Sequence, residues 1–211
     1  MEPFVTVTGP AAPFLRANVD TDQIIRIERL TAHYRDDGRD ALGPYALESM
    51  RKLPDGSEDP RFVLNRPEYR GTPILLAGIN FGCGSSREGA VWALKGAGLR
   101  SIIAPSFGDI FFANCFQNGV LPVVLPEADV RRIAAESEAA PGKALTCVDL
   151  ERQLVTTPSG AALSFKVDAR RRDALLAGLD EIALTLRHAG AVSAWQARDR
   201  AARPWAWEPL A

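Results

Sequence analysis

The stretch Thr72-Pro-Ile-Leu-Leu-Ala-Gly-Ile-Asn-Phe-Gly-Cys-Gly-Ser-Ser-Arg-Glu-Gly-Ala-Val-Trp-Ala-Leu-Lys-Gly-Ala97 decides the architecture. Residues 72–80 form an apolar run of strand length without helical spacing. Residues 90–97 space their apolar side chains as on a buried helix face, so the stretch reads strand, glycine-rich turn, helix. Gly82 and Gly84 supply the positive φ values that a sharp turn needs. Ser85 or Ser86 falls at the N-cap, with Arg87 and Glu88 in the first turn. Free amides, two hydroxyls and a guanidinium then gather where an anion would bind. A tight turn with a serine cap is the plainer reading, yet Arg87 and two serines exceed what capping needs.

Downstream, Arg100–Ala104 reads as a strand, and Pro105 and Ser106 start a helix running through Phe116. Asn118-Gly119 ends that helix, and Val120–Leu125 reads as a further strand. The alternation predicts an α/β fold built from parallel βαβ units with right-handed crossovers. A helix over Glu127–Ala139 follows, then β segments at Ala144–Asp149, Gln153–Thr157 and Ala161–Val167. The C-terminal region is helical: Asp168 caps a run to Leu179, Asp180-Glu181 opens one to Leu186, and a last helix covers Ala191–Ala201. The two tryptophans of the tail Arg203–Pro209 dock on the domain or on a partner.

Upstream, Phe4–Val7 reads as a short strand and Pro10 and Pro13 as a turn. Asn18, Asp20, Thr21 and Asp22 crowd short polar side chains just before Ile24-Ile25. Asx turns and caps account for many such clusters, but two carboxylates flanking Thr21 can also aim at a site. Residues 26–70 form a long, partly helical excursion, of the kind that often carries function. With no internal repeat and no clean linker, residues 1–201 read as one domain and 202–211 as a tail.

Bulk composition excludes several function classes. The chain has 211 residues, 24% of them charged, and a formal net charge of −1. That balance argues against nucleic acid or an anionic membrane surface as the main partner. Cys83, Cys115 and Cys147 are widely spaced and the only histidines are His33 and His188. No metal site, whether zinc or iron–sulfur, is expected from this chain alone. No signal-like start and no bilayer-length apolar run is present, so a cytoplasmic protein with reduced thiols is expected.

Three blocks stand in chain order: Asn18-Val-Asp-Thr-Asp-Gln-Ile-Ile25, Asn80-Phe-Gly-Cys-Gly-Ser-Ser-Arg-Glu88, and Ile103-Ala-Pro-Ser-Phe-Gly-Asp-Ile-Phe111 with Asn118-Gly-Val-Leu-Pro122. Together they resemble the small subunits of 3-isopropylmalate dehydratase, the detached swivelling β/β/α domain of the aconitase superfamily. The likeness runs over roughly residues 1 to 200 and includes Gly178–Leu186. It implies a hydro-lyase that isomerises a substituted malate by dehydration and rehydration in leucine biosynthesis, active only with a large subunit. It also implies a 4Fe–4S cluster on that large subunit, acting as Lewis acid on the departing hydroxyl. By the same resemblance Ser85 is the catalytic base, its alkoxide favoured by helix N-terminal amides and by Arg87. Ser86 and Arg87 are ligands of a substrate carboxylate, and Asp22 and Thr21 of the Thr-Asp motif lie near the substrate.

The chain departs from the family's commonest motif. Gly89 stands where a His is usual, Val91 where a Pro is, and Arg26 follows Ile24-Ile25 in place of a Pro. The next loop, Ile27-Glu-Arg-Leu-Thr31, lies where relatives select the substituent on their substrate, so Arg29, Arg26 or Arg35 could meet a second carboxylate. Surface charge is the alternative for each. These departures keep three other acids open: dimethylmalate, citramalate and homoaconitate. Two other classes are a phosphate- or nucleotide-binding α/β module and a redox sensor built on Cys83. The first lacks the third glycine of Gly-x-Gly-x-x-Gly; the second requires Cys83 to react ahead of the other thiols, whereas the chemistry above does not need Cys83 and a buried thiol is expected there.

Overall fold

The computed structural model describes residues 1–33 and 39–207. Its strands are β1 (Thr6–Phe14), β2 (Ile74–Ala77), β3 (Ser101–Ala104), β4 (Leu121–Val124), β5 (Leu145–Asp149), β6 (Leu154–Thr156) and β7 (Ala162–Ser164). They form one sheet in the order β4-β3-β2-β1-β5-β6-β7. β1, β2, β3 and β4 run parallel, as the βαβ reading predicts, while β1, β5, β6 and β7 run antiparallel.

β1 joins the two halves. Its residues 11–14 pair with β2 and its residues 6–10 with β5. Here the sequence misleads: Pro10 and Pro13, expected in a turn, lie inside this strand. β5 reaches only as far as Pro10, so from Ala11 onward the flank of β1 away from β2 has no strand partner. A residue without an N–H is tolerated on such a flank. The Pro10 carbonyl accepts from the Thr72 hydroxyl, and Ser137 Oγ donates to the Ala11 carbonyl at 2.7 Å.

Because side chains alternate along a strand, the parallel strands feed two cores. Ala12, Leu75, Ala77, Ile102 and Ala104 face one of them, with Ala90, Val91, Ala93 and Leu94 of α4 (Glu88–Gly96). Ala11, Ile74, Leu76, Ile103, Leu121 and Val123 face the other, with Val130, Ile133 and Ala134 of α6 (Glu127–Ala139) and Leu175 of α7 (Ala169–Leu176). Residues 26–70 contribute α2 (Ile27–His33), a 3-10 helix (Arg39–Tyr45) and α3 (Glu48–Arg51). They lie over the α4 side, where Leu42, Ala46 and Leu47 enter the first core.

Two helix starts differ from the sequence expectation. α4 begins at Glu88 with Arg87 as N-cap, so neither Ser85 nor Ser86 caps it. α5 (Asp109–Gln117) begins after Gly108, and Ser106 accepts from the Asn80 amide at 2.9 Å instead of capping. The Ser106 hydroxyl is thus drawn into a loop-to-loop bond, which outcompetes a cap on the adjacent helix. Asp168 and Asp180 do cap α7 and α8 (Glu181–Leu186), accepting from the amides of Arg171 and Ala183. α9 (Ala189–Ala202) has no buried side chain; Trp207 donates to Asp199 while Trp205 stays exposed.

Gly43 abuts the backbone of Gly96 so closely that a Cβ there would overlap the Gly96 carbonyl. The Gly43→Ala variant is therefore expected to lose about 1–3 kcal/mol of stability, read as a lower urea midpoint at unchanged m-value.

Candidate functional site

The chain from Ala77 to Glu88 is a loop between β2 and α4, and it is held at three places along its length. Asn18 N donates to the Ile79 carbonyl (2.9 Å), and Gly82 N to the Val19 carbonyl (2.7 Å). Thr21 N donates to the Cys83 carbonyl at 3.0 Å, and Asp20 and Cys83 form a one-residue parallel bridge. On the other side Phe81 N donates to the Ser106 carbonyl (3.1 Å) and Gly108 N to the Phe81 carbonyl (2.9 Å). The three sequence blocks thus meet as three adjacent backbones. Gly82 makes this possible, since it has φ 72° and a Cβ there would overlap the Phe111 ring.

Asp20 and Thr21 act from behind the loop. Asp20 caps α1 (Thr21–Ile24) by accepting from Gln23 N at 2.7 Å. Thr21 is buried, and its hydroxyl donates to the Ser85 carbonyl at 2.8 Å. Asp22, half-exposed, forms an ion pair with Arg87, whose Nη1 also donates to the Ile25 carbonyl at 3.4 Å. A carboxylate against a guanidinium is the strong class of polar contact, so Asp22 and Arg87 fix each other.

The hydroxyls and the guanidinium do not share one hollow. Ser86 and Arg87 line an open groove of about 740 Å³ with Gly89, Trp92, Ile27, Leu30 and Thr31. Ser85 opens instead into a neighbouring hollow of about 390 Å³ with Asn80, Cys83, Phe107, Asp109 and Ile110. α4 starts three residues after Ser85, at Glu88, and the helix start that lines the Ser85 hollow is that of α5, at Gly108, Asp109 and Ile110. Gly89 is buried, and a Cβ on it would overlap Leu30. The space that a larger residue would take is thus filled by α2.

Arg29 is turned away from this groove. Its Nε and Nη2 both donate to Glu48 at 2.8 Å, and its guanidinium lies 4.5 Å from the centre of the Tyr45 ring. The hydrogen bonds from Arg29 hold the Glu48 carboxyl below its usual range. Arg26 is exposed beside Glu28, and Arg35 lies outside the described residues.

Cys83 is half-buried in the Ser85 hollow, whereas Cys115 is fully buried and its thiol is pushed up by desolvation. Among the described residues no three His, Cys, Asp or Glu side chains converge on a metal-sized site, so these residues do not fit a cluster. No helix among them is long and apolar enough to cross a membrane.

Sequence reading singled out Ile27–Thr31, of which Ile27, Leu30 and Thr31 do line the groove, but it missed Trp92 as the facing wall, and the available signal was slight. Trp92 stands four residues beyond Glu88, hence on the same helix face as the motif's end.

Comparison with known proteins bears on the family and the fold. A family model described as the aconitase C-terminal domain matches residues 1–128. A model described as LeuD_N matches residues 131–169, and one described as the C-terminal domain of the small subunit of 3-isopropylmalate dehydratase matches residues 181–206. The 3-isopropylmalate dehydratase small subunit of Cupriavidus necator is 50% identical over 208 residues, covering 97% of this chain and 98% of that protein. That of Paramagnetospirillum magneticum is 47% identical over 205 residues, covering 97% and 100%. A solved structure of 3-isopropylmalate dehydratase from Methanocaldococcus jannaschii superposes with a TM-score of 0.62 at 26% identity, covering 89% of this chain and 98% of that one.

Two outcomes are expected from this geometry. Thr21→Val removes the hydroxyl that holds the Ser85 carbonyl; it should cost about 0.5–1.5 kcal/mol and speed amide exchange at residues 84–86. The contribution of Glu48 has a defined sign. Since its folded pKa is lowered, the stability it adds is fully present above the ordinary carboxylate value of 4.5 and is lost as pH falls through the lowered value. Glu48→Gln should accordingly flatten the acid limb of the stability-versus-pH curve in thermal melts.

Proposed function

The chain belongs to the family of 3-isopropylmalate dehydratase small subunits, and on that footing we propose that it is the proton-transferring subunit of a hydro-lyase interconverting 2-isopropylmalate and 3-isopropylmalate in leucine biosynthesis. The observation that carries the reading is the loop of residues 84–88, which presents Ser85, Ser86 and Arg87 beside an apolar groove. Arg87 offers a guanidinium fork to a substrate carboxylate, and Ser86 a hydroxyl in the same groove. Asp22 orients Arg87, and Thr21 fixes the loop through the Ser85 carbonyl.

Ser85 Oγ, as alkoxide, takes the proton from the carbon beside a carboxylate. The electron pair left behind becomes the new C=C bond as hydroxide leaves the neighbouring carbon. Rehydration returns the proton from Ser85 to carbon while a water-derived hydroxyl joins the other carbon. Withdrawal of the hydroxyl is the chemistry that the 4Fe–4S cluster supplies, and that cluster belongs to the large subunit in this reading. A substrate reaching from Arg87 to Ser85 crosses the loop, on a face open to solvent. The large subunit would cover that face, so the isolated chain is inactive. The reading places the enzyme in the cytoplasm.

The groove's chemistry bears on which acid is bound. Ile27, Leu30 and Trp92 offer apolar surface of the kind an isopropyl group needs. A third carboxylate, as in homoaconitate, would find Arg87 as the groove's one cation among the described residues, because Arg29 is held by Glu48. Arg29 therefore enters the reading as a support of the groove wall. Citramalate and dimethylmalate would leave more of the groove unfilled.

The experiment is turnover by the complex reconstituted anaerobically with the large subunit, offering each acid in turn. Isopropylmalate should be preferred, and Ser85→Ala should lower kcat by about 10²–10⁴-fold with KM little changed. Equal turnover of the other acids would sink the substrate assignment, and wild-type kcat in Ser85→Ala would remove the base.

A further inference from the structure

Asn118 ends α5, where its backbone N–H bonds the carbonyls of Asn114 and Cys115. A capping role would be complete at that point, yet its side chain is 5% exposed and fully engaged. Oδ1 accepts from Trp92 Nε1 at 2.9 Å. Nδ2 donates to Glu88 Oε1 at 2.9 Å and to the Asn114 carbonyl at 2.8 Å. The amide's two donors and its acceptor are thereby spent in one direction each, which defines its orientation. Glu88 directly follows Arg87, and Trp92 is the wall of the groove facing Ile27, Leu30 and Thr31.

From this juxtaposition we infer that Asn118 is a positioning residue for substrate selection, setting through Trp92 the apolar wall against which the substrate's branched substituent lies. The inference rests on the function proposed above. Its physical content is that an indole ring can turn about its side-chain torsions, and a groove lined by it has a defined width only if the ring is held. The hydrogen bond to Asn118 holds it by the one polar atom it has. Should that bond be lost, the indole N–H must seek water, and the open groove supplies it; the ring would then swing into the space meant for the substituent. Asn118 touches neither the carboxylate ligands nor Ser85, so its loss should act on the substituent and not on the proton transfer.

The test uses the reconstituted complex and the ratio of kcat/KM for isopropylmalate to that for citramalate, two acids that differ in the size of one substituent. Asn118→Leu and Trp92→Phe should each lower this ratio about tenfold, the scale on which apolar pockets discriminate. For Asn118→Leu, which leaves every groove-lining residue in place, the loss should appear in KM for isopropylmalate, with kcat on citramalate unchanged. Combining the two should cause no further loss, since both break one interaction. A ratio unmoved by Trp92→Phe, or a loss equal on both acids, would overturn the inference. If Asn118→Leu fails to fold, Asn118→Ser, whose side chain is too short to reach the Trp92 indole, decides in its place by the same ratio. Failure of the function reading looks different: the wild-type complex would not prefer isopropylmalate. The ratio is then read between whichever two acids the wild type tells apart by substituent.

Discussion

The hydrogen bond from the buried Thr21 hydroxyl to the Ser85 carbonyl is the contact on which the site depends. A loop as rich in glycine as residues 82–84 has too much conformational freedom to fix its own shape. Its order must be imposed by neighbours, and the Asp20–Cys83 bridge beside the Thr21 bond imposes it. The sequence separation between Thr21 and Ser85 makes this a tertiary constraint, one that the pairing of β1 with β2 brings within reach. The shape of the loop is therefore a consequence of sheet assembly and not of local turn chemistry alone.

β1 makes that assembly possible. One strand that is parallel on one side and antiparallel on the other lets the chain enter the sheet once and serve both halves. It also delivers the 18–25 block directly from the end of β1 to the loop that leaves β2. Pro10 and Pro13 suit the places where β1 lacks a neighbour on one flank, and the Ser137 hydroxyl satisfies the Ala11 carbonyl there.

The strands and helices downstream of Thr72 could be read from sequence because apolar periodicity there matches burial on both faces of the sheet. The prolines of β1 could not, since their tolerance depends on where β5 ends. The three blocks were visible as motifs, but much of their meeting is made of backbone bonds that no side-chain pattern encodes. The groove was the least legible feature. Leu30 reaches Gly89 across a separation of many residues, so Gly89 signals nothing until the Leu30 side chain is seen against it. Likewise Arg29 looked available to a substrate until Glu48, on a different helix, was found to hold it.

The Asp22–Arg87 pair explains how a cation can wait for its ligand. The Arg87 side chain is 19% exposed and that of Asp22 is 55% exposed, so the guanidinium is the group that would suffer without a partner. Asp22 supplies one from the solvent side, as a charge-assisted contact that holds the guanidinium in place. Both described bonds of Arg87 are made by Nη1, to Asp22 and to Ile25. A guanidinium has five donors in a fixed fork, so a substrate carboxylate can be met without Asp22 letting go. In the proposed function the aspartate would keep the fork aimed while the substrate binds, which gives one residue of the Thr-Asp motif an electrostatic task and leaves its neighbour Thr21 the mechanical one.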